Sequence, residues 1–269
     1  LMMIGVIGLG FVGGAICKSF ELKGLYVYGY DKFKDGGIGK FENIIKTKIC
    51  FLCLPTLYNS ELEEYDKKSI IDTLNVLRDN NYKGLVVIKS TVEPETTDYL
   101  SLKYPTLKLC HNPEFLTSRT AFIDFHNQTH IVVGKPFNRT ENDIFELYDL
   151  YTKYFPDANI SKCSAVESES VKIMCNTFYG SKIIIFNEFY LLCKQNGANF
   201  EIVKNIMLKN NWINSMHTNV PGTDGLLGFG GSCFPKDISA LLKYMEKKKT
   251  PNNVIKSVLE ENKIIRHTN

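Results

Sequence analysis

The 269-residue chain has one tryptophan and five histidines, and nowhere an apolar run near the ~18 residues that cross a bilayer. A charge of one sign is lacking too, since 32 Lys and Arg against 29 Asp and Glu leave +3 at neutral pH. That excess is too small for the electrostatic footprint of a nucleic-acid binder. Neither nucleic acid nor membrane is expected as a partner. The opening Leu1-Met2-Met3-Ile4-Gly5-Val6-Ile7-Gly8 has no basic stretch or small-residue cleavage site of a secretory leader, so a cytoplasmic location is expected. Internal repeats and low-complexity tracts are missing as well. What remains, 44% hydrophobic and 23% charged residues, is an ordinary globular mix, enough for one large domain or two modest ones.

Eight cysteines are scattered through mostly apolar segments, where a reduced thiol behaves as a small buried hydrophobe. Cys50-Phe51-Leu52-Cys53 has the spacing of a zinc or redox half-site. It lies in a continuous apolar strand without a second pair or a nearby histidine, and no metal is expected. Cys233 alone stands among glycines and charges.

The first part of the chain alternates short apolar runs with helical patterns. Strands are expected at Met3–Ile7, Leu25–Tyr30, Ile49–Leu54, Leu85–Ile88, Leu107–His111 and Ile131–Val133, with helices at Val12–Lys23 and Ser69–Asn80. This order predicts an α/β fold, a Rossmann-like doubly wound parallel sheet over residues 1–163. The remainder, 164–269, reads as a mostly helical domain. Val166–Gln195 forms one long helix, of a length that suits a spine or a homodimer interface. Further helices are expected over Glu201–Asn210, Pro235–Lys249 and from Asn253 to the end, with a Gly/Pro-rich loop over Val220–Gly231.

Gly8-Leu9-Gly10-Phe11-Val12-Gly13 fits G-x-G-x-x-G between the first strand and first helix. The glycines serve a tight turn, close approach of a pyrophosphate, and close packing of helix on strand. Asp31 closes the second strand about twenty residues on, where an acid binds ribose hydroxyls. A carboxylate there repels a 2′-phosphate, which favours NAD. Gly8, Gly10, Phe11, Val12, Gly13, Asp31 and Lys32 are therefore candidate cofactor contacts.

At Gly228-Phe229-Gly230-Gly231-Ser232-Cys233-Phe234-Pro235-Lys236-Asp237 the chain closely resembles the signature of the UDP-glucose/GDP-mannose dehydrogenases. Pro55-Thr56, Ser90-Thr91-Val92 with Thr96, and Asn112-Pro113-Glu114-Phe115-Leu116 resemble further family elements in the family's order. Glu169, Lys172, Asn176, Asn187 and Glu188 fall where its central helix carries polar residues. The resemblance implies NAD-dependent oxidation of a nucleotide sugar's C6 alcohol to a carboxylate, and the stretch Ser215–Leu227 leans toward UDP-glucose; the alternatives are a non-catalytic or partner-dependent NAD-binding module of the same descent, or a dehydrogenase for UDP-N-acetylmannosamine or GDP-mannose.

Oxidising an alcohol to an acid needs two hydride transfers, with the intermediate aldehyde held as a thiohemiacetal and then as a thioester. Cys233 is the implied nucleophile, at a helix start whose dipole suits an anion. Asp237, four residues on, is implied to hold a water. Lys172 would stabilise developing oxyanions, and Asn176, on the same helix face, would orient substrate and water. Glu114 is the implied base at the thioester stage, with Thr91 positioning the water. Phe115, Leu116, Phe229 and Gly230 complete the expected sugar site beside Glu114, Lys172, Asn176 and Cys233. Pro55, Thr56, Ser90, Thr91 and Lys236 are expected on the cofactor side, Lys236 also as a sugar or phosphate contact.

Three departures from the family pattern accompany these matches. Trp212 stands where an arginine is usual, and Ser118 where a second acid is usual. Only seventeen residues separate Asp31 from Ile49, so a strand there is expected to be short or absent. The family normally continues into a second Rossmann-like domain for the nucleotide end of the substrate, and this chain is expected to lack it.

Overall fold

The computed structural model describes residues 2–266. Two compact units divide the chain within one helix: residues up to Leu57 with Tyr65–Lys172, and Tyr58–Glu64 with everything from Ile173 on.

In the first unit, β1 (Met3–Ile7), α1 (Phe11–Leu22), β2 (Tyr26–Tyr30), α2 (Phe41–Ile44) and β3 (Ile49–Leu52) come in succession. The small ribbon β4 (Tyr58–Asn59) and β5 (Glu64–Tyr65), which apart from Tyr65 belongs to the second unit, follows in the chain. Next are α3 (Lys68–Asp79), β6 (Leu85–Ile88), α4 (Thr96–Lys103), β7 (Lys108–His111), α5 (Ala121–His126), β8 (His130–Lys135), α6 (Glu141–Tyr154) and β9 (Asn159–Ser164). Seven strands make one sheet in the order β2-β1-β3-β6-β7-β8-β9.

Strands β3 and β6 are buried along their whole length, as Ile-Cys-Phe-Leu and Leu-Val-Val-Ile, because helices cover both faces of a parallel sheet. One face packs Val6, Phe51 and Val87 with Phe20 of α1, Phe125 of α5 and Tyr151 of α6. The other packs Ile7, Leu52 and Ile88 with Leu74 of α3 and Leu100 of α4.

Two features depart from the simple parallel expectation. Strand β8 runs antiparallel to β7, joined at His111↔Gly134, since apolar runs report burial and not strand direction. Edge strand β9, Asn-Ile-Ser-Lys-Cys-Ser, is mostly polar and gave no apolar signal. Between Asp31 and Ile49 there is no strand, only a 3₁₀ turn, α2 and the lone bridge Asp31↔Ile38.

Helix α7 (Ala165–Asn196) is 32 residues long, about 48 Å at 1.5 Å per residue. It begins and ends within one residue of the sequence expectation. In the second unit it is followed by α8 (Phe200–Leu208), α9 (Phe234–Lys247) and α10 (Asn253–Arg266). The expected run of the last helix to the chain end falls outside the described residues. Ile184 of α7, Phe229, Ile238 of α9, and Val258 and Ile265 of α10 form the core there. Among the described residues no helix is long and apolar enough to cross a membrane.

Candidate active site

The dinucleotide turn lies at the carboxyl end of β1, between β2 and β3, where the chain switches from one side of the sheet to the other. Gly8 has φ +88°, and a β-carbon there would collide with the Cys53 carbonyl of the neighbouring strand end. A β-carbon on Gly13 would collide with the Gly8 carbonyl, so helix α1 sits against β1 at a distance only glycine allows. Gly10 is different: nothing lies within 4 Å of the β-carbon it lacks. The protein does not use that space, and the first turn of α1 has no side-chain cap. Open room over uncapped helix N–H groups is the cradle a pyrophosphate fits. Phe11 is exposed and Val12 half-buried at the same turn.

Asp31 accepts from Leu9 N at 2.8 Å with one oxygen, and from Phe33 N and Lys34 N at 3.0 Å with the other. Partial burial alone would raise its pKa, but these donors and the Lys34 ammonium outweigh it and hold the carboxyl below its ordinary value. Lys34, which the sequence reading left out of the site, donates to the Leu9 carbonyl at 2.7 Å and ties the turn to the Asp31 loop. Lys32 is exposed and lies over the Phe33 ring.

The loops after β3 and β6 are stitched together. Ser90 Oγ donates to Leu54 O at 2.6 Å and accepts from Leu54 N at 3.0 Å, and Thr56 Oγ1 donates to Thr91 O at 2.7 Å. Pro55 is exposed beside them. Thr96 Oγ1 donates to Glu93 O at 2.6 Å. Every sequence-quoted element of this unit except the helical residues thus follows the carboxyl end of a strand.

After β7, Glu114 pairs with Lys172 of α7 at 3.0 Å and accepts from Leu116 N at 2.6 Å. The pair is nearly removed from solvent, with side chains 5% (Lys172) and 11% (Glu114) exposed. The Lys172 ammonium also lies 5.3 Å from the Phe115 ring centroid. Beneath this loop the sequence reading missed Lys89, whose ammonium donates to Asn112 Oδ1 at 3.0 Å and to Pro113 O at 3.2 Å. Burial pushes Lys89 down to about 8 against the pull of nearby Cys53 and Glu114. Glu169 serves another purpose: it accepts from Glu95 N, Thr97 N and Thr97 Oγ1, capping α4.

In the second unit Cys233 is the N-cap residue of α9, half-buried, with Pro235 in the first turn, where its missing N–H costs nothing. Ser232 Oγ is 3.8 Å from its sulfur. Asp237 N donates to Cys233 O at 3.0 Å, the first bond of the helix. The Asp237 carboxylate is fully buried and held on both oxygens, by Asn176 Nδ2 at 2.6 Å and Lys236 Nζ at 2.6 Å. The structure therefore groups Asn176, Asp237 and Lys236 in one network and Glu114, Lys172 and Phe115 in another. Phe229 and Gly230 lie in the loop just before Cys233, Phe229 buried. Asn187 accepts from Gly228 N, while Glu188, beside it, is exposed. Trp212 is 90% exposed.

A glycine-rich turn leading from β1 into α1 and an acid after β2 define a dinucleotide-binding Rossmann-like fold. Residues 37–152 match the NAD binding domain of the UDP-glucose/GDP-mannose dehydrogenase family, and 166–264 match its central domain. A UDP-glucose 6-dehydrogenase of Campylobacter jejuni is 30% identical over 296 residues, covering 98% of this chain and 72% of the relative. The chain belongs to the UDP-glucose/GDP-mannose dehydrogenase family.

A UDP-glucose 6-dehydrogenase of Rickettsia prowazekii is 34% identical over 77% of the chain, but the match spans only 47% of that relative. The chain thus spans about half the length of the first curated relatives it matches. A UDP-glucose dehydrogenase structure from Pyrobaculum islandicum superposes with TM-score 0.85 at 26% identity, over 98% of this chain and 68% of that one. A 3-hydroxyisobutyrate dehydrogenase of Mycobacterium tuberculosis shares the fold at TM-score 0.73 and 16% identity, over 98% and 94%.

Proposed function

We propose that this chain carries the chemical centre of an NAD-dependent nucleotide-sugar 6-dehydrogenase, acting on UDP-glucose and yielding UDP-glucuronate. The observation that supports it most is Cys233 at the start of α9, one helical turn before a buried Asp237 held on both oxygens. A buried carboxylate held in place one helical turn from a thiol suits the hydrolysis of a thioester and has little use in a dehydrogenase that stops at the ketone or aldehyde. NAD, when bound, supplies the hydride acceptor. Cys233 sulfur adds to the aldehyde carbon, giving a thiohemiacetal, and loss of the second hydride leaves a thioester. Water then adds to the thioester carbonyl, the carbon–sulfur bond breaks, and the thiol is regenerated with the carboxylate product.

In this reading the buried Lys172 ammonium stabilises the developing alkoxide or tetrahedral oxyanion, and Glu114 takes the proton of the attacking water. Asn176, four residues from Lys172 along α7, fixes Asp237 and orients the water. Thr91 assists at the same step. The expected stoichiometry is two NADH per sugar consumed, measured with UDP-glucose, UDP-N-acetylmannosamine and GDP-mannose in parallel. Cys233→Ser should abolish turnover while NAD still binds. One NADH per sugar, or activity surviving that substitution, would overturn the covalent route.

The same reading includes a cytoplasmic homodimer formed along α7. Its support is an exposed stripe at heptad-like spacing, Met174, Phe178, Ile185 and Leu192, of which Phe178 is 65% exposed. A monomeric mass at micromolar concentration would remove it.

A further inference from the structure

The loop from Val220 to Gly231 has no regular secondary structure, yet it must deliver Cys233 to the start of α9. Its backbone is held by side chains of two helices. Asn187 of α7 spends its amide nitrogen on Ile183 O at 2.8 Å, which turns its oxygen to Gly228 N at 2.9 Å. Asn262 of α10 grips Phe229 twice, accepting from its N–H at 2.8 Å and donating to its carbonyl at 3.0 Å. Arg266, one turn further, donates to Leu227 O at 3.2 Å and to Asp224 Oδ2 at 2.8 Å. Three consecutive residues, Leu227, Gly228 and Phe229, thus have their main chain fixed by these side chains shortly before the nucleophile.

The glycines of this run have a matching explanation. A β-carbon on Gly228 would collide with Asn262 Oδ1, and one on Gly230 with the Arg266 guanidinium. Phe229, between them, is buried against Ile184, Val258 and Ile265. Gly-Phe-Gly is shaped to let α10 close on the backbone. Asn262 itself breaks an apolar face, taking a buried position between Val258 and Ile265, where a hydrophobe would pack without needing partners.

We infer that Asn262 and Arg266 of α10 are positioning residues for Cys233, setting the register of the loop that presents the thiol. The inference rests on the role of Cys233 proposed above, and it makes the nucleophile's reactivity depend on two side chains of α10, Asn262 and Arg266, twenty-nine and thirty-three residues later in the sequence. The two-bond clasp on Phe229 acts like one rung of a β-ladder, and a loop released from it shifts the sulfur by amounts that cost catalysis about 10- to 100-fold.

The test uses the full chain carrying Asn262→Ala, Asn262→Asp or Arg266→Ala. Two quantities are measured: the rate of Cys233 carbamidomethylation by iodoacetamide, read on its own peptide by mass spectrometry, and NADH production with UDP-glucose. Asn262→Ala should change the alkylation rate at least about threefold and lower kcat about 10- to 100-fold, with the KM for NAD unchanged. Asn262→Asp keeps the acceptor for Phe229 N and loses the donor to its carbonyl, so it should fall between. Arg266→Ala, removing a half-exposed guanidinium, should act in the same direction on a folded chain even where Asn262→Ala unfolds. Lys263→Ala, on the exposed side of α10, should react as the unaltered chain does.

Loss of melting temperature in the Asn262 and Arg266 variants with unchanged Cys233 alkylation and kcat would overturn the inference, as would an equal change in Lys263→Ala. A chain that makes no NADH from any nucleotide sugar, but whose Cys233 reactivity still follows Asn262, sinks the dehydrogenase reading and leaves the positioning role standing.

Discussion

Glu114 and Lys172 show at the residue scale how stability and chemistry can be separated. Removing one partner leaves the other charge buried and unpaired, which costs about 3–5 kcal/mol. Lys172→Ala or Glu114→Ala should therefore lower the melting temperature as well as turnover. The double variant Glu114→Gln with Lys172→Met removes both charges and should recover most of the stability. Its kcat should remain about 10²- to 10³-fold down, because the oxyanion donor is gone. Recovery of kcat together with the melting temperature would show the pair to be structural. Glu114 and Asp237 stand out as candidates because each sits in a family-like motif, and Lys172 and Asn176 because they fall at polar positions of the long helix. Which partners which was not legible, since pairing depends on tertiary approach: Asp237 meets Asn176 across 61 residues of sequence. Lys89 was invisible for a related reason. A lysine ending an apolar strand reads as a solvated end, and only the fold shows it buried against Asn112 and Pro113.

The element proposed to hold the cofactor is the β1–α1 turn, and its glycines are expected to fail in different ways. Gly13→Ala drives a methyl into the Gly8 carbonyl, so α1 must move off β1. Overpacking of this kind costs about 1–3 kcal/mol, and both melting temperature and NAD affinity should fall. Gly10→Ala meets nothing within 4 Å, so the fold should melt normally while NAD binding weakens about tenfold or more. Equilibrium binding and thermal melts on the two variants check the contrast; equal destabilisation would refute it. Elements with an unbroken apolar run or a long period, such as β3, β6 and α7, were readable to within a residue or two. Helix α4 leaves little local signal, since Thr96–Lys103 has only Leu100 as a fully buried apolar side chain. Its start is fixed from outside, by Glu169 of α7 accepting from Thr97 N at 2.7 Å, a contact 72 residues apart that no local pattern records.

For the molecule as a whole, alternating strand and helix announced the doubly wound sheet, while the reversed direction of β8 came only with its partner strand. Two buried groups should govern how its stability varies with pH. His111 donates or accepts at Nδ1 with Ser168 Oγ, and its Nε2 has no partner among the described residues. Burial, aided by the charges of Lys89 and Lys172, pushes its pKa down from 6.5 to about 3, against the opposing pull of the Ser90 backbone. Below pH 6.5 the unfolded chain takes up a proton that the folded chain refuses, so stability is lost as pH falls from 6.5 toward 3. Glu169 acts in the opposite sense. Burial raises it from 4.5 to about 8 despite the Thr97 and Glu95 donors. Between those values the folded chain keeps a proton that the unfolded chain releases, so stability is lost as pH rises from 4.5 to 8. The two slopes oppose each other between pH 4.5 and 6.5, and each is at most about 1.4 kcal/mol per pH unit. Melting temperature should therefore be highest in that interval and fall on both sides. His111→Leu should remove the acid-side fall and leave stability declining from pH 4.5 upward, and Glu169→Gln should remove the alkaline-side fall and leave it declining from pH 6.5 downward. An acid slope that survives in His111→Leu would mean that carboxylates elsewhere, and not this histidine, set the low-pH limit of the fold.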